Sequence, residues 1–229
     1  MGDINQYRFV QKHRVEFCAP FLEAGAHDYG TTQNLRSLFP EAEYLGVDLR
    51  AGPGVDVVLD LTRPFEEIDR SLGGKRFSTI FCLSVLEHCD QPFVMSDNMV
   101  KLLKPGGKIY VSVPFAWKFH GYPSDYWRFT HEGVKKLFPT LEFDTFTGNR
   151  AASAAGYPGP LGKDIGLIQL SGRWHRERRR FVAGLETDFL ELLSRLGIMR
   201  WLFCYRYVLA PTMIDMVGIA PASIPASTR

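Results

Sequence analysis

The 229-residue chain has little cysteine, almost no net charge and no long hydrophobic run. Its four cysteines, Cys18, Cys82, Cys89 and Cys204, show no CxxC spacing. Disulfide frameworks and zinc knuckles depend on such spacings, so neither is expected, and the thiols read as reduced and buried. Lys and Arg number 27 against 25 for Asp and Glu, a formal net charge of +2. That balance removes any global electrostatic pull toward nucleic acid or an acidic membrane, so a basic patch has to be local. No apolar run reaches about 20 residues, so membrane insertion is not expected. The opening MGDINQYRFVQKHRVEF lacks the basic-then-apolar order of a leader, and the expectation is a soluble cytoplasmic protein. Repeats and low-complexity tracts are also missing, which excludes solenoids and arrays.

What remains is an ordinary globular composition, 45% hydrophobic and 23% charged, in a length that suits one large domain, residues 1–229. Strand-like and helix-like segments alternate. A weak helix at 7–17 precedes a strand at 19–24, and a helix at 31–39 is stopped by Pro40. Apolar strands follow at 44–48 (YLGVD), 55–61 (VDVVLDL), 77–83 (FSTIFCL) and 108–113 (KIYVSV). Helices are expected at 91–103 and 131–137, and a further strand at 141–146. Short apolar strands alternating with helices predict an α/β fold, a Rossmann-like doubly wound, mostly parallel sheet. After Asn149 the pattern changes to a Gly/Pro/Ala loop at 151–163, a long helix at 173–196, a second helix at 199–209 and a last strand at 212–220. Residues 150–210 therefore read as an inserted loop and helical cap before the last strand.

In an open α/β sheet, ligands sit beyond the carboxyl ends of the strands. Glu23 and Gly25 end the first strand, Asp48 the second, Asp60 the third, and Leu83 with Ser84 the fourth. An acid after the second strand can accept both hydroxyls of a ribose, and one after the third can meet the amine of adenine. A nucleoside-containing cofactor is the resulting hypothesis.

The segments FLEAG, YLGVDL, VVLDL, FSTIFCLSVLEH, LKPGGKIYVSVP and DYWRFT, in this order over residues 19–147, resemble class I S-adenosylmethionine-dependent methyltransferases of the type 11-like group. The resemblance implies S-adenosyl-L-methionine as cofactor. It assigns Glu23, Gly25, His27 and Asp28 to the first loop, Asp48 and Leu49 to the ribose, Asp60 and Leu61 to adenine, and Leu83, Ser84 and His88 to the sulfonium end. The family's E-x-G-x-G-x-G loop is altered here: its second and third glycine positions hold His27 and Tyr29, and Gly30 follows one place late. Asp28 and Gly30 supply residues for a different turn, and the change bears on cofactor affinity more than on fold. A nicotinamide enzyme is disfavoured because G-x-G-x-x-G is missing, and a non-catalytic methyltransferase-like binding protein is the alternative that the lost glycines suggest.

The segment VPFAWKFHGYPSDYWRFTHEG follows the fifth strand. Phe115, Trp117, Tyr122, Tyr126, Trp127 and Arg128 are expected to bind the acceptor, a small molecule, sugar, glycan or secondary metabolite. Methylation of a hydroxyl needs a base, for which His120 comes first, with Asp125 as its orienting partner or the alternative base, and His88 second. An amine is the second choice of acceptor. No metal is expected, because no ligands stand at metal spacing along the chain. The basic run Arg173, Arg176, Arg178, Arg179 and Arg180 reads as a solvated helix face; its sharper readings are an anion site and an RNA-modifying methyltransferase, although nucleic acid is not the expected partner. The stretch 199–219 is interrupted by Arg200, Arg206 and Asp215, which favours a cap, lid or homodimer contact over membrane insertion.

Overall fold

Asp3 and Gln6 start the first helix three residues earlier than its apolar residues suggest. In the computed structural model, Asp3 accepts the backbone N–H groups of Asn5 and Gln6, and Gln6 Oε1 accepts the N–H of Asp3 at 2.7 Å. This capping box sets α1 at Ile4–Lys12, with Phe9 and Val10 buried. The structure describes residues 2–30, 33–121, 124–153, 156–159, 161–162, 165, 170–200, 203 and 211–222.

Among the described residues, eight strands form one sheet in the order β3-β2-β1-β4-β5-β8-β6-β7. The parallel part comprises β1 (Phe21–Ala24), β2 (Tyr44–Asp48), β3 (Val57–Val58), β4 (Phe77–Leu83) and β5 (Leu103–Pro114). β8 (Met213–Ile219) pairs antiparallel with β5, then β6 (Arg150–Ala152) and β7 (Pro158–Gly159) complete the edge. Every residue of β1 is buried, as a central strand covered on both faces requires. The chain runs from β1 outward to β3 and then crosses back to β4, which places the topological switch point between β1 and β4.

Several expectations need correction. The 31–39 helix reduces to a 3-10 turn at Leu35–Leu38, with residues 31–32 outside the described ones. The expected 55–61 strand pairs only at Val57–Val58. An unexpected helix, α2 (Phe65–Ser71), follows Pro64; it buries only Ile68, too little to show a period, while Glu66 and Glu67 suit its N-terminal dipole. α3 (Pro92–Leu102) starts with Pro at its first turn. The KPGG turn lies within β5: Phe77 pairs with Leu103 but Thr79 with Lys108, so the surplus residues bulge at Gly106, φ 71°. α4 occupies His131–Leu137 as expected.

The 141–146 strand does not form. Glu142 makes a single bridge to Ile219, while Leu141, Phe143 and Phe146 are buried. A Cβ on Gly218 would lie 2.7 Å from the Phe143 ring, so this segment crosses over β8 instead of pairing along it. Ala151 and Ala152, read as loop, take the place beside β8. Cys82 is buried, Cys18 is exposed, contrary to expectation, and Cys204 lies outside the described residues.

The chain divides into two compact units, residues 1–161 with 212–229, and residues 162–211. β6 and β7, expected in the insertion, belong with the sheet. Within the second unit, the expected single helix at 173–196 is two, α5 (Gly172–Glu177) and α6 (Phe181–Arg195). Arg179 takes φ 57° at the break, and a Cβ on Gly172 would stand 2.9 Å from the Gly184 carbonyl, so the bend lets α5 lie against α6. Arg173 pairs with Glu177, Arg176 with Asp188, and Arg178 stacks over Trp174, so much of the basic run is engaged locally. Most of the expected 199–209 helix lies outside the described residues. Among the described residues no helix is long and apolar enough to cross a membrane.

Candidate functional site

A crevice of about 330 Å³ opens where β1, β2 and β4 end. Its walls include Gly25, His27, Asp48, Leu49, Asp60, Leu61, Leu83, Ser84 and His88, drawn from four separate stretches of chain. Glu23 and Asp28 do not line it. Glu23 is buried within β1 and accepts the Tyr44 hydroxyl at 2.6 Å. Asp28 accepts the Gly30 N–H at 2.7 Å, forming the short turn that replaces the glycine-rich one.

The two rings in the first loop leave the crevice open. A Cβ on Gly52 would collide with the His27 ring, so that ring is accommodated by the absence of a side chain opposite. His27 packs on Tyr29 with centroids 4.5 Å apart, and both form one wall. Gly25 is indispensable in a stricter sense: its φ is +71°, and a Cβ would lie 2.4 Å from Val85 Cγ2.

An adenosyl cofactor fits the donor set. Asp48 accepts the Arg50 N–H at Oδ1 (3.1 Å) and the His27 N–H at Oδ2 (3.3 Å). A carboxylate offers about four acceptor positions, so capacity for two hydroxyls remains. Asp60 spends Oδ1 on the Thr62 N–H and hydroxyl, at 2.8 and 2.6 Å, and Oδ2 accepts nothing among the described residues. Asn98, buried on α3, fixes this loop by donating to the carbonyls of Leu61 and Arg63 at 2.9 and 3.0 Å.

Ser84 also lines a second cavity, of about 200 Å³, walled by residues that include Gln6, Glu87, Trp117, His120 and Asp215. Ser84 sits at φ 54°, a left-handed backbone that a non-glycine residue rarely adopts. A polar ladder floors this cavity. Gln6 Nε2 donates to Ser84 Oγ (3.0 Å) and Ser112 Oγ (2.8 Å); Ser112 and Tyr110 donate to Asp215 Oδ1 (2.7 and 3.1 Å); Arg150 donates to Oδ2 (3.0 Å). Burial raises the Asp215 carboxyl above its ordinary range even with Arg150 beside it. None of the ladder residues except Ser84 carries a sequence signal of function, because their partners lie on distant elements.

Above the ladder, Glu87, His88 and His120 converge, their ligating atoms all within 4.8 Å of one another. The fold thus assembles a cluster that has no spacing signature along the chain. Glu87 is 1% exposed, and burial pushes its carboxyl up to about 8. His88 Nδ1 donates to the Ser124 carbonyl at 2.5 Å, and burial lowers the pKa of its imidazole. His120 Nδ1 lies 3.1 Å from Asp125 Oδ2, whose carboxylate also accepts the His120 backbone N–H at 2.8 Å. Arg128 donates to both Asp125 oxygens and holds that carboxyl well below the usual carboxylate range.

The remaining acceptor-segment residues brace this cluster. The Tyr126 and Trp127 N–H groups donate to the Glu87 carbonyl, at 2.8 and 3.3 Å, Trp127 Nε1 donates to the Cys89 carbonyl at 2.8 Å, and Phe115 N donates to Thr212 O at 2.8 Å. Phe115, Tyr126, Trp127 and Arg128 line neither cavity, Trp117 lines the second, and Tyr122 lies outside the described residues.

No protein-family model and no curated protein matches the chain. Solved structures do. One is an S-adenosylmethionine-dependent methyltransferase from Archaeoglobus fulgidus, 15% identical over 93% of this chain and 92% of that one, with a TM-score of 0.53. Another is the glycopeptide N-methyltransferase MtfA complexed with S-adenosyl-L-homocysteine, 11% identical over 96% of this chain and 91% of that one, with a TM-score of 0.52. At these identities the likeness establishes the fold: the chain has the class I methyltransferase fold, α/β with a Rossmann-like, mostly parallel sheet.

Proposed function

We propose that this chain is an S-adenosylmethionine-dependent methyltransferase that acts on a hydroxyl of a small polar acceptor, a sugar, glycan or secondary metabolite, with an amine as second choice. The observation that carries the reading is that Ser84 borders both cavities, so a donor in one and an acceptor in the other would meet at a single residue. Asp48 would hold the ribose hydroxyls, Asp60 and Leu61 the adenine, and Leu83, Ser84 and His88 the sulfonium end. Glu23 and Asp28 act behind the first loop by shaping it. Bound there, the cofactor supplies an electrophilic methyl carbon.

A neutral hydroxyl is a poor nucleophile, so its proton must leave as the C–O bond forms and the C–S bond breaks. His120 takes that proton at Nε2, because Nδ1 already faces Asp125. His88 stands second. Positioning supplies the rest, with Trp117 on the acceptor wall.

Calorimetry with S-adenosylhomocysteine tests the donor half. Binding to the wild type, weakened about 10–100-fold in Asp48→Asn as hydrogen bonds to a charged acceptor are lost, is expected; no heat at all supports the non-catalytic binding protein instead. With a panel of hydroxylated acceptors, His120→Ala should lose turnover while retaining affinity for that ligand, and undiminished turnover removes His120 from the role. A cytoplasmic location and a homodimer through the inserted helices belong to the same proposal. The exposed Phe181, Leu185 and Phe189 on α6 support the latter, and sedimentation at rising concentration tests it.

A further inference from the structure

We propose that Glu87, His88 and His120 form a binding site for a divalent transition-metal ion of the zinc or cobalt type at the edge of the second cavity. Three features of the cluster point there. First, atoms no more than 4.8 Å apart surround a point about 2.8 Å or less from each, against roughly 2.0–2.2 Å for zinc bonded to imidazole or carboxylate, so small side-chain shifts close the site.

Second, the tautomers are set for ligation. His88 Nδ1 faces the Ser124 carbonyl, which only accepts, and His120 Nδ1 faces the Asp125 carboxylate and, at 3.3 Å, the Lys118 carbonyl. Each Nδ1 therefore carries a hydrogen, and the lone pair of each neutral ring is on Nε2, which for His88 lies 3.9 Å from the Glu87 carboxyl. An imidazole whose second nitrogen donates to a carboxylate or carbonyl is the usual outer support of a metal-bound histidine.

Third, Glu87 Oε2 is shut off from solvent and has no hydrogen-bond partner among the described residues. Its other oxygen stands 3.9 Å from His88 Nε2, too far for a hydrogen bond. The partnerless Oε2 stands beside two imidazole nitrogens, and a cation that displaces the carboxyl's proton can bind carboxylate and both rings at once. Two imidazoles and one carboxylate select a borderline transition metal over magnesium or calcium, and three protein ligands leave a coordination position open.

The site's existence stands on this geometry; its chemical role rests on the methyl-transfer reading. An ion there would lower the pKa of an acceptor hydroxyl in the second cavity, so that its proton passes to solvent water. It would also occupy His120 Nε2, so ion binding and base catalysis by that atom exclude each other.

The test uses the full chain after chelator treatment, titrated with Zn²⁺ by calorimetry and with Co²⁺ by visible absorption. One ion per chain is expected, with ligand-field bands for Co²⁺ from a low-coordinate nitrogen and oxygen set. His88→Ala and His120→Ala should weaken binding by on the order of 100-fold, and Asp125→Asn, which leaves both rings in place, by about 10–100-fold. Far-UV circular dichroism on the same samples separates lost ligation from lost folding, and S-adenosylhomocysteine affinity does so as well for Glu87→Gln, His120→Ala and Asp125→Asn. Absence of saturable binding in the wild type, or equal ion affinity in Glu87→Gln, His120→Ala and Asp125→Asn variants that retain S-adenosylhomocysteine, overturns the proposal. Ion binding with the expected variant losses but no S-adenosylhomocysteine binding upholds the metal site and removes the methyl-transfer reading; the reverse result removes the metal site alone.

Discussion

Arg128 holds Asp125 with both arms of its guanidinium, 2.5 Å to Oδ1 and 2.7 Å to Oδ2, while donating to the Trp117 and Lys118 carbonyls. The Asp125 side chain is 0% exposed, so this fork, the His120 N–H and the His120 ring together satisfy it. Two residues of the DYWRFT segment, Asp125 and Arg128, therefore orient a histidine that lies upstream of them. Lysine cannot reproduce a planar two-point contact. Arg128→Lys should lower unfolding free energy by about 1–3 kcal/mol, the range for hydrogen bonds to a charged group. A urea unfolding midpoint equal to that of the wild type would contradict this role.

Gly25 and Gly30 share a left-handed backbone, at φ +71° and +78°, but not a neighbourhood. Nothing lies within 4 Å of a Cβ on Gly30, whereas one on Gly25 would meet Val85. Gly30→Ala should cost about 1–2 kcal/mol from backbone strain alone. Gly25→Ala adds overpacking of about 1–3 kcal/mol and should weaken S-adenosylhomocysteine, because Val85 lines the same crevice. Equal losses in the two variants would show that the close approach at Gly25 is unimportant.

Asn98→Ala should act at a distance from any ligand. It strips the Leu61 and Arg63 carbonyls of a shared donor in a buried setting, at about 1–3 kcal/mol. Amide exchange at residues 60–63 should quicken more than elsewhere. Uniform exchange would place the loop's rigidity in other contacts.

Asp215 gives a pH dependence with a definite sign. Its carboxyl is raised from the ordinary 3.8 by burial, so the folded state holds the proton more tightly than the unfolded chain. The contribution to stability is full below the unfolded value and is lost as pH rises through the folded one, because the native state then carries the extra bound proton. Asp215→Asn should flatten the fall in unfolding free energy across that window, read from urea melts at successive pH values. An unchanged slope would mean that Arg150 already fixes Asp215 as a carboxylate in both ranges.

The strands β2 and β4 and the helix α4 were legible residue for residue, because short apolar runs between turn residues depend on local pattern. α2 and the β6–β7 edge were not. One buried residue, Ile68, makes no period, and Ala151 and Ala152 become a strand only because β8 offers them an unpaired edge. The 141–146 segment failed in the opposite sense: its alternation marks burial, and Gly218 converts that burial into a crossing.

The site divides along the same line. Asp48, Asp60, Leu83 and Ser84 could be placed in advance because strand ends in a parallel sheet all emerge at one edge, a consequence of connectivity. Glu87, Gln6, Ser112 and Asp215 could not. Gln6 meets Ser112 across 106 positions, and His88 meets Ser124 across 36. Hydrogen-bond partners so far apart have no period or spacing to read. Alternation and turn chemistry alone set the sheet and the edge at which a ligand would sit; which acids are buried, which histidine nitrogen is left with a lone pair, and whether His27 blocks the crevice were decided only when the chain crossed over itself, since each depends on what lies opposite in space.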